Sequence, residues 1–202
     1  MTPRLAVWLV SLFTRPDETE SILGDLAEEY SQHAANSGDA AARRWYWRQV
    51  ARTIVHLAFA GMLKAPMVTA ACVVAGSLLG RYAFALSKHG MEVVLDHYRL
   101  FESSPEMYLF WLTDATQILR LFGNVLAGSL IALAVKGREV PTTIALALVR
   151  IAMAIAAIVA TLGRPGPAGY FWTFPWVLAF AIANIAGGVI VRTRRSAALQ
   201  RT

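Results

Sequence analysis

Charged residues are scarce in this chain: Asp, Glu, Lys and Arg make up only 16% of its 202 residues, while 56% are hydrophobic. A soluble domain of this length is usually close to a quarter charged, so the composition argues against one. Cysteine is scarcer still: Cys72 is the only cysteine in the chain. It lies inside an apolar run. A single cysteine excludes an intramolecular disulfide and a cysteine-based metal site.

Catalytic signatures are missing as well. The sequence contains no G-x-S-x-G elbow, no H-E-x-x-H pair, no G-x-x-x-x-G-K-[ST] phosphate loop and no histidine inside an apolar run. His89, Glu92 and Asp96 would share one helical face, and a solvated polar face explains them better than a metal site. We therefore predict no enzymatic activity, no cofactor and no metal.

Four apolar runs are long enough to cross a hydrocarbon core, which takes about 20 residues of helix. They cover residues 66–87, 109–135, 142–162 and 171–191. The sequence thus predicts an all-α membrane protein. Residues 1–64 form a cytoplasmic helical hairpin module, and residues 65–202 form a four-helix transmembrane bundle with a basic tail.

Basic residues are distributed unequally between the two sides of these predicted spans. Thirteen lysines and arginines lie before the first run, in the second loop and in the tail, against three in the first and third loops. The positive-inside rule places the richer side, with both chain ends, in the cytoplasm. Membrane lipids are therefore expected partners.

The front module combines an acidic helix with an arginine-bearing one. One interpretation is a hairpin held by opposite charges; the other turns the acids to water and the arginines to lipid phosphates. Trp47 shares the apolar face of the second helix. The acidic row comprises Asp25, Glu28 and Glu29, and the arginine stripe comprises Arg44, Arg48 and Arg52.

Two strings in the front module, G-D-L-A-E-E-Y at residues 24–30 and R-W-Y-W-R-Q at residues 44–49, resemble a known family. They resemble the prefix domain that precedes bacterial duplicated orphan permeases, relatives of the MacB-type ABC transporter permeases. The resemblance covers about residues 3–60. It implies a bacterial inner-membrane setting and a link with transport. Those permeases carry a large extracytoplasmic domain after the first span, where this chain has about 20 residues.

Arg150 is the charge predicted to lie deepest in the membrane, about eight residues inside the third run. An arginine at that depth is costly if unpaired, so a functional or packing role is expected. We expect it to bond to Asn124, Asn184, backbone carbonyls or an anionic ligand such as a substrate or lipid headgroup.

Two further arginines, Arg81 and Arg120, lie nearer the predicted outer surface and are expected to snorkel outward. Asp114 then lies in the outer headgroup zone, where it can pair with Arg81. Asparagine and glycine recur four residues apart in the second and fourth runs, as Asn124 with Gly128 and Asn184 with Gly188. This spacing predicts close helix contact with amide hydrogen bonds across it.

Three functional hypotheses follow. The first is a non-enzymatic, transport- or envelope-associated protein whose module docks a protein partner through the acidic row, the arginine stripe and Trp47. The second is an oligomeric channel or carrier for a small anionic solute, using Arg150. The third is a membrane sensor or anchor for a soluble regulator. A protein partner or a homo-oligomer is expected, and nucleic acid is not.

Overall fold

The computed structural model describes residues 4–14, 16–161 and 169–199, and within these ranges it contains helices and no strand. Four helical segments are long and apolar enough to cross a membrane: Pro66–His97, Pro105–Ala134, Glu139–Ala160 and Phe174–Ala198. The predicted all-α class is confirmed, and the chain is a helical membrane protein.

The chain divides into two compact units, Met1–Pro66 and Met67–Thr202. The first contains α1 (Arg4–Ser11), α2 (Pro16–Ser37) and α3 (Asp39–Leu63). The second contains α4 (Pro66–His97), α5 (Leu100–Ser103), α6 (Pro105–Phe110), a π-helical turn (Trp111–Ala115), α7 (Thr116–Ala134), α8 (Glu139–Thr161) and α9 (Gly169–Leu199).

An apolar core joins the three helices of the first unit. Ala6 and Val10 from α1 pack with Leu26 from α2 and with Tyr46 and Val50 from α3, and all five are almost fully buried. Full burial of a side chain such as Val10 or Leu26 contributes about 1.5–3 kcal/mol to stability. An exposed ion pair contributes about 0.2–1 kcal/mol. Apolar burial therefore holds this unit together.

Of the two interpretations of the front module, the hairpin held by opposite charges is not supported by the structure. In the part of the chain that the structure describes, no ion pair joins the acidic row to the arginine stripe. All six side chains of these two sets are exposed, as is Trp47. The turn itself depends on Gly38, whose φ of 79° suits glycine and ends α2.

The helices of the second unit extend beyond the predicted spans. The first run was expected to end at residue 87, but α4 continues to His97, with Lys88 and Glu92 forming an i,i+4 ion pair of 3.6 Å on the extension. The last run was expected to end at residue 191, and α9 continues to Leu199. The length of an apolar run predicts only the part of a helix that lies in the hydrocarbon core. The helix itself can continue beyond the core where polar residues stabilise it. Residue 162, Arg164 and Arg201 lie outside the described residues.

Helices α7 and α9 approach each other at two glycines. A Cβ on Gly128 would collide with the carbonyl oxygen of Asn184, and one on Gly187 would collide with the carbonyl oxygen of Val125. Gly188 lies against Thr143 of α8 in the same way. The close contact predicted at Gly128 is confirmed, whereas in α9 the glycine against α7 is Gly187 and the predicted Gly188 packs on α8.

Candidate functional site

Arg150 is the central residue of α8, eleven residues from Glu139 and eleven from Thr161. A rise of about 1.5 Å per residue places it roughly 16 Å from each end of the helix, beyond the reach of a snorkelling side chain. Its guanidinium donates a hydrogen bond to Asn124 Oδ1 of α7 and another, of 3.0 Å, to the carbonyl oxygen of Gly76 in α4. Arg150 therefore joins three helices of the second unit.

The side-chain oxygen of Asn124 accepts from two helices at once. Besides Arg150, it accepts a 3.2 Å hydrogen bond from Asn184 Nδ2 of α9. The Asn124 amide donates to the Arg120 carbonyl at 2.7 Å, and the Asn184 amide donates to the Phe180 carbonyl at 2.8 Å. Both asparagines are buried, with exposed fractions of 4% and 0%. The structure thus brings together Arg150, Asn124 and Asn184, which the sequence analysis had grouped.

Arg120 points into the bundle, so its predicted outward snorkelling is wrong. Its guanidinium carbon lies 4.3 Å from the ring centre of Phe84 in α4 and 4.5 Å from that of Phe180 in α9. Cation–π contacts of this kind contribute about 0.5–2 kcal/mol each. Within the described ranges its guanidinium donates to no protein acceptor, and its carbon atom lies over the two rings. Its N–H groups remain available in the guanidinium plane.

The predicted pair of Arg81 with Asp114 is absent from the ion pairs of the described residues. Asp114 is exposed on the π-helical turn, where its carboxylate lies 3.3 Å from the hydroxyl of Thr113. Arg81 instead borders a cavity shared with Arg120 and Arg150. The prediction was wrong because helical position places a residue along the membrane normal and leaves its direction around the helix axis open.

The cavity has a volume of about 310 Å³ and is lined by residues of α4, α7, α8 and α9. Three arginines border it, and no Asp or Glu is among the described residues that line it. Its apolar wall consists of Met153, Val177 and Phe180. We call this space the arginine cavity. Cationic donors without a carboxylate, in a low-dielectric setting, favour a bound anion.

Gly80 makes room for the key guanidinium. A Cβ at this position would collide with an Nη atom of Arg150. In contrast, a Cβ on Gly123, on the neighbouring helix, would meet only Ala83 Cβ at 3.9 Å, an ordinary contact. Gly76, four residues earlier on α4, packs against Ile131 and Leu146, whereas Gly80 leaves the space that Arg150 fills.

A second ionic cluster, at the end of the bundle where α8 begins, was missed by the sequence analysis. Glu139 is 1% exposed and accepts from Arg195 of α9 at 2.6 Å, with Arg192 3.8 Å away. Arg195 also donates to the Leu133 carbonyl of α7 at 2.9 Å. The sequence does offer one sign of this cluster, because Glu139 is a single acid just before the third apolar run. The tail arginines, however, indicate only topology when they are counted for the positive-inside rule.

A third cluster lies in the first unit, at the α2–α3 turn. The Tyr30 hydroxyl donates to the carboxylate of Asp39, and Arg43 lies 3.0 Å from the same carboxylate. The hydrogen bond from Tyr30, followed by the charge of Arg43, lowers the pKa of Asp39. The same hydrogen bond raises the pKa of the Tyr30 phenol. These groups are exposed, so they adjust the turn rather than hold the unit together.

The docking residues predicted in the first unit do not converge. The acidic row and the arginine stripe are exposed on α2 and α3, and neither is neutralised by the other. Trp47 is 37% exposed beside the stripe. The arginine cavity is therefore the place where the structure gathers predicted site residues into one geometry.

Comparison with protein-family models, with curated proteins and with solved structures finds no match.

Proposed function

We propose that this chain is a membrane protein of the transport or envelope type, without catalytic activity of its own, that binds an anionic group in the arginine cavity. The observation that carries the proposal is the convergence of Arg81, Arg120 and Arg150 on one cavity whose described lining holds no carboxylate. Arginine at membrane depth costs about 2.5–3.5 kcal/mol on insertion scales, so two such residues in one cavity need compensation. A bound anion provides it.

The hydrogen-bond geometry supports this function. Arg150 uses two donors on Asn124 and Gly76, which fixes its direction and leaves its other N–H groups available. Arg120 contacts the rings of Phe84 and Phe180, which restrict the position of its guanidinium. A fixed pair of guanidinium groups is pre-organised for an oxyanion, because the ligand does not have to order them.

Thermal unfolding of the purified protein in neutral detergent tests the proposal. Sodium phosphate is compared with sodium chloride at equal ionic strength in the wild type and in Arg150→Gln. Phosphate stabilises proteins in general through exclusion from their surface, so the difference between variants is the readout. We expect phosphate to stabilise the wild type more, because Gln removes charge-assisted hydrogen bonds that contribute about 1.5–3 kcal/mol.

Arg194→Gln is the matched control, since Arg194 is exposed near the end of α9, away from the arginine cavity. It is expected to respond to phosphate as the wild type does. An equal response in all three proteins contradicts anion binding at Arg150.

A second function is favoured by the exposed, unneutralised charges of the first unit. We propose that the acidic row, the arginine stripe and Trp47 dock a protein partner, which agrees with the resemblance to permease prefix domains in bacterial inner membranes. A photo-crosslinking residue in place of Trp47 is expected to give a discrete product that disappears when Arg44, Arg48 and Arg52 are all changed to Glu. The same crosslinker at Ser103, in the second unit, is the control. A product that survives the charge reversal contradicts docking through the stripe.

A further inference from the structure

The arginine cavity is small, although three arginines border it. Its volume of about 310 Å³ is at the low end of the range of about 300–1,000 Å³ typical of small-molecule sites. It therefore has room for a compact oxyanion and not for a large solute. Any apolar part of a larger ligand has to leave through an open side.

The open side faces the surface of the bundle. Arg81 and Met153 both border the cavity and are exposed, Met153 with 61% of its surface accessible. Beside them on α4 and α8, Leu78 and Val149 expose 49% and 39%. In a membrane-spanning segment such a surface contacts acyl chains. The opening therefore connects the arginines directly with lipid.

The cavity wall is amphipathic in a matching way. Guanidinium groups from α4, α7 and α8 and the polar side chains of Ser77 and Asn124 line part of it, and Met153, Val177 and Phe180 add an apolar surface. A ligand that fits both parts carries an anionic group at one end and hydrocarbon at the other. A soluble inorganic ion satisfies only the arginines.

The positions of the two interior arginines favour a phosphate over a carboxylate. Arg120 and Arg150 belong to different helices, and both border the arginine cavity, where the rings of Phe84 and Phe180 hold the Arg120 guanidinium. A planar carboxylate pairs best with a single guanidinium, whereas the tetrahedral oxygens of a phosphate diester can accept from two that approach from different directions.

We infer that the occupant of the arginine cavity is the phosphate diester headgroup of an anionic phospholipid, which enters sideways from the bilayer while its acyl chains stay outside. This inference rests on the proposed anion-binding function and specifies its ligand. The headgroup neutralises guanidinium charge inside the membrane, and Met153 contacts the start of the acyl chains.

Gly80→Ala and Gly123→Ala form a matched pair of variants for the test. Both add one methyl group to a glycine in a membrane-spanning helix, but only the first displaces the Arg150 guanidinium from its position. The full chain is purified in mild detergent, incubated with phosphatidylglycerol, and examined by native mass spectrometry for retained lipid. Oleate and inorganic phosphate are tested in parallel, because they supply the carboxylate and the free-ion alternatives.

We expect the wild type and Gly123→Ala to retain phosphatidylglycerol. Gly80→Ala and Arg150→Gln should retain at least about tenfold less, because the loss of roughly one charge-assisted hydrogen bond corresponds to that factor in affinity. Thermal unfolding of each variant establishes that it is folded. If Gly80→Ala does not fold, Arg120→Gln takes its place, with the same loss expected.

Equal retention of phosphatidylglycerol by all variants overturns the inference, and so does retention of oleate in preference to phosphatidylglycerol. Stabilisation of the wild type by inorganic phosphate, lost in Arg150→Gln, without retention of phosphatidylglycerol, also overturns it but leaves the proposed anion-binding function standing. Absence of both effects overturns the inference and the function together.

Discussion

Glu139 shows at the scale of one residue how a buried charge is held at a helix start. Its Oε1 accepts from Arg195 at 2.6 Å and from the backbone N–H of Gly137 at 3.1 Å. Arg195 in turn donates to the carbonyls of Ala132 and Leu133 near the end of α7, and the Ala132 carbonyl also accepts from the Val135 backbone N–H at 3.3 Å. One carboxylate thereby orients an arginine that caps a neighbouring helix.

We expect Glu139→Ala to reduce the free energy of unfolding by about 3 kcal/mol, the low end of the range for removing one member of a buried ion pair. The low end applies because Arg195 is 31% exposed and keeps some hydration. Denaturation in mixed detergent micelles measures the loss. Glu102→Ala is the control, because Glu102 pairs with Arg99 at 3.8 Å in a 70% exposed setting and should cost under about 1 kcal/mol. Equal losses would contradict the buried-pair explanation.

The residues of the site could be predicted from the sequence only in part. The depth of Arg150 follows from counting residues along an apolar run, and the asparagines were the nearest polar groups at comparable depth. The direction of Arg120 could not be predicted, because it depends on how α7 is rotated against α4 and α9. The partner carbonyl of Gly76 is a backbone group, which no side-chain pattern identifies.

Helix pairing at the element scale depends on two backbone contacts between α7 and α9. Gly128 and Gly187 each lie against a carbonyl oxygen of the other helix, where no side chain can yield. This differs from Gly80, where the colliding atom belongs to the flexible end of Arg150. Substitution at Gly128 therefore moves helices, whereas substitution at Gly80 moves a side chain.

We expect Gly128→Ala to destabilise the second unit by about 1–3 kcal/mol, the usual cost of overpacking. Gly90→Ala, in α4, should stabilise it by up to about 1 kcal/mol, because nothing lies within 4 Å of the added methyl group and alanine favours helix. Unfolding midpoints of the two variants then move in opposite directions from the wild type. Midpoints that move together contradict the close contact.

The α2–α3 turn should respond to pH through Asp39 and Tyr30. Because the pKa of Asp39 is lowered in the folded chain, its contribution is present above the ordinary aspartate pKa of about 3.9 and is lost as pH falls further. The raised pKa of Tyr30 has the opposite sense, so its contribution is present below about pH 10 and is lost above it.

Hydrogen exchange at the backbone amide of Ala42, which donates to the Gly38 carbonyl at 3.1 Å, measures this dependence after correction for intrinsic exchange. Protection is expected to decrease as the pH is lowered through about 4, and Asp39→Asn should remove that decrease. A decrease of the same size in Asp39→Asn would assign it to another group.

The orientation of the whole molecule is a prediction of the positive-inside rule, and single cysteines can test it. With Cys72→Ser as background, Ser37→Cys and Ser103→Cys introduce thiols at exposed positions, one in each unit. A membrane-impermeant maleimide should label Ser103→Cys in intact spheroplasts and label Ser37→Cys only after permeabilisation. Labelling of Ser37→Cys alone in intact spheroplasts would reverse the predicted orientation.

The whole fold was more predictable than its details. Four apolar runs separated by charged loops specify four membrane-spanning helices, because lipid leaves the backbone no other way to satisfy its hydrogen bonds. The extension of α4 to His97 and the π-helical turn at Trp111–Ala115 depend on local polar contacts outside that constraint. A hydropathy pattern therefore predicts neither the α4 extension nor the π-helical turn.

The contact between Glu139 and Arg195 has a consequence for biosynthesis. The two residues are 56 positions apart, and the arginine comes second. While α9 is still being synthesised, the Glu139 carboxylate lacks Arg192 and Arg195, and the Leu133 carbonyl lacks the hydrogen bond from Arg195. The ion pairs at this end of the bundle therefore form last, once α9 has been made.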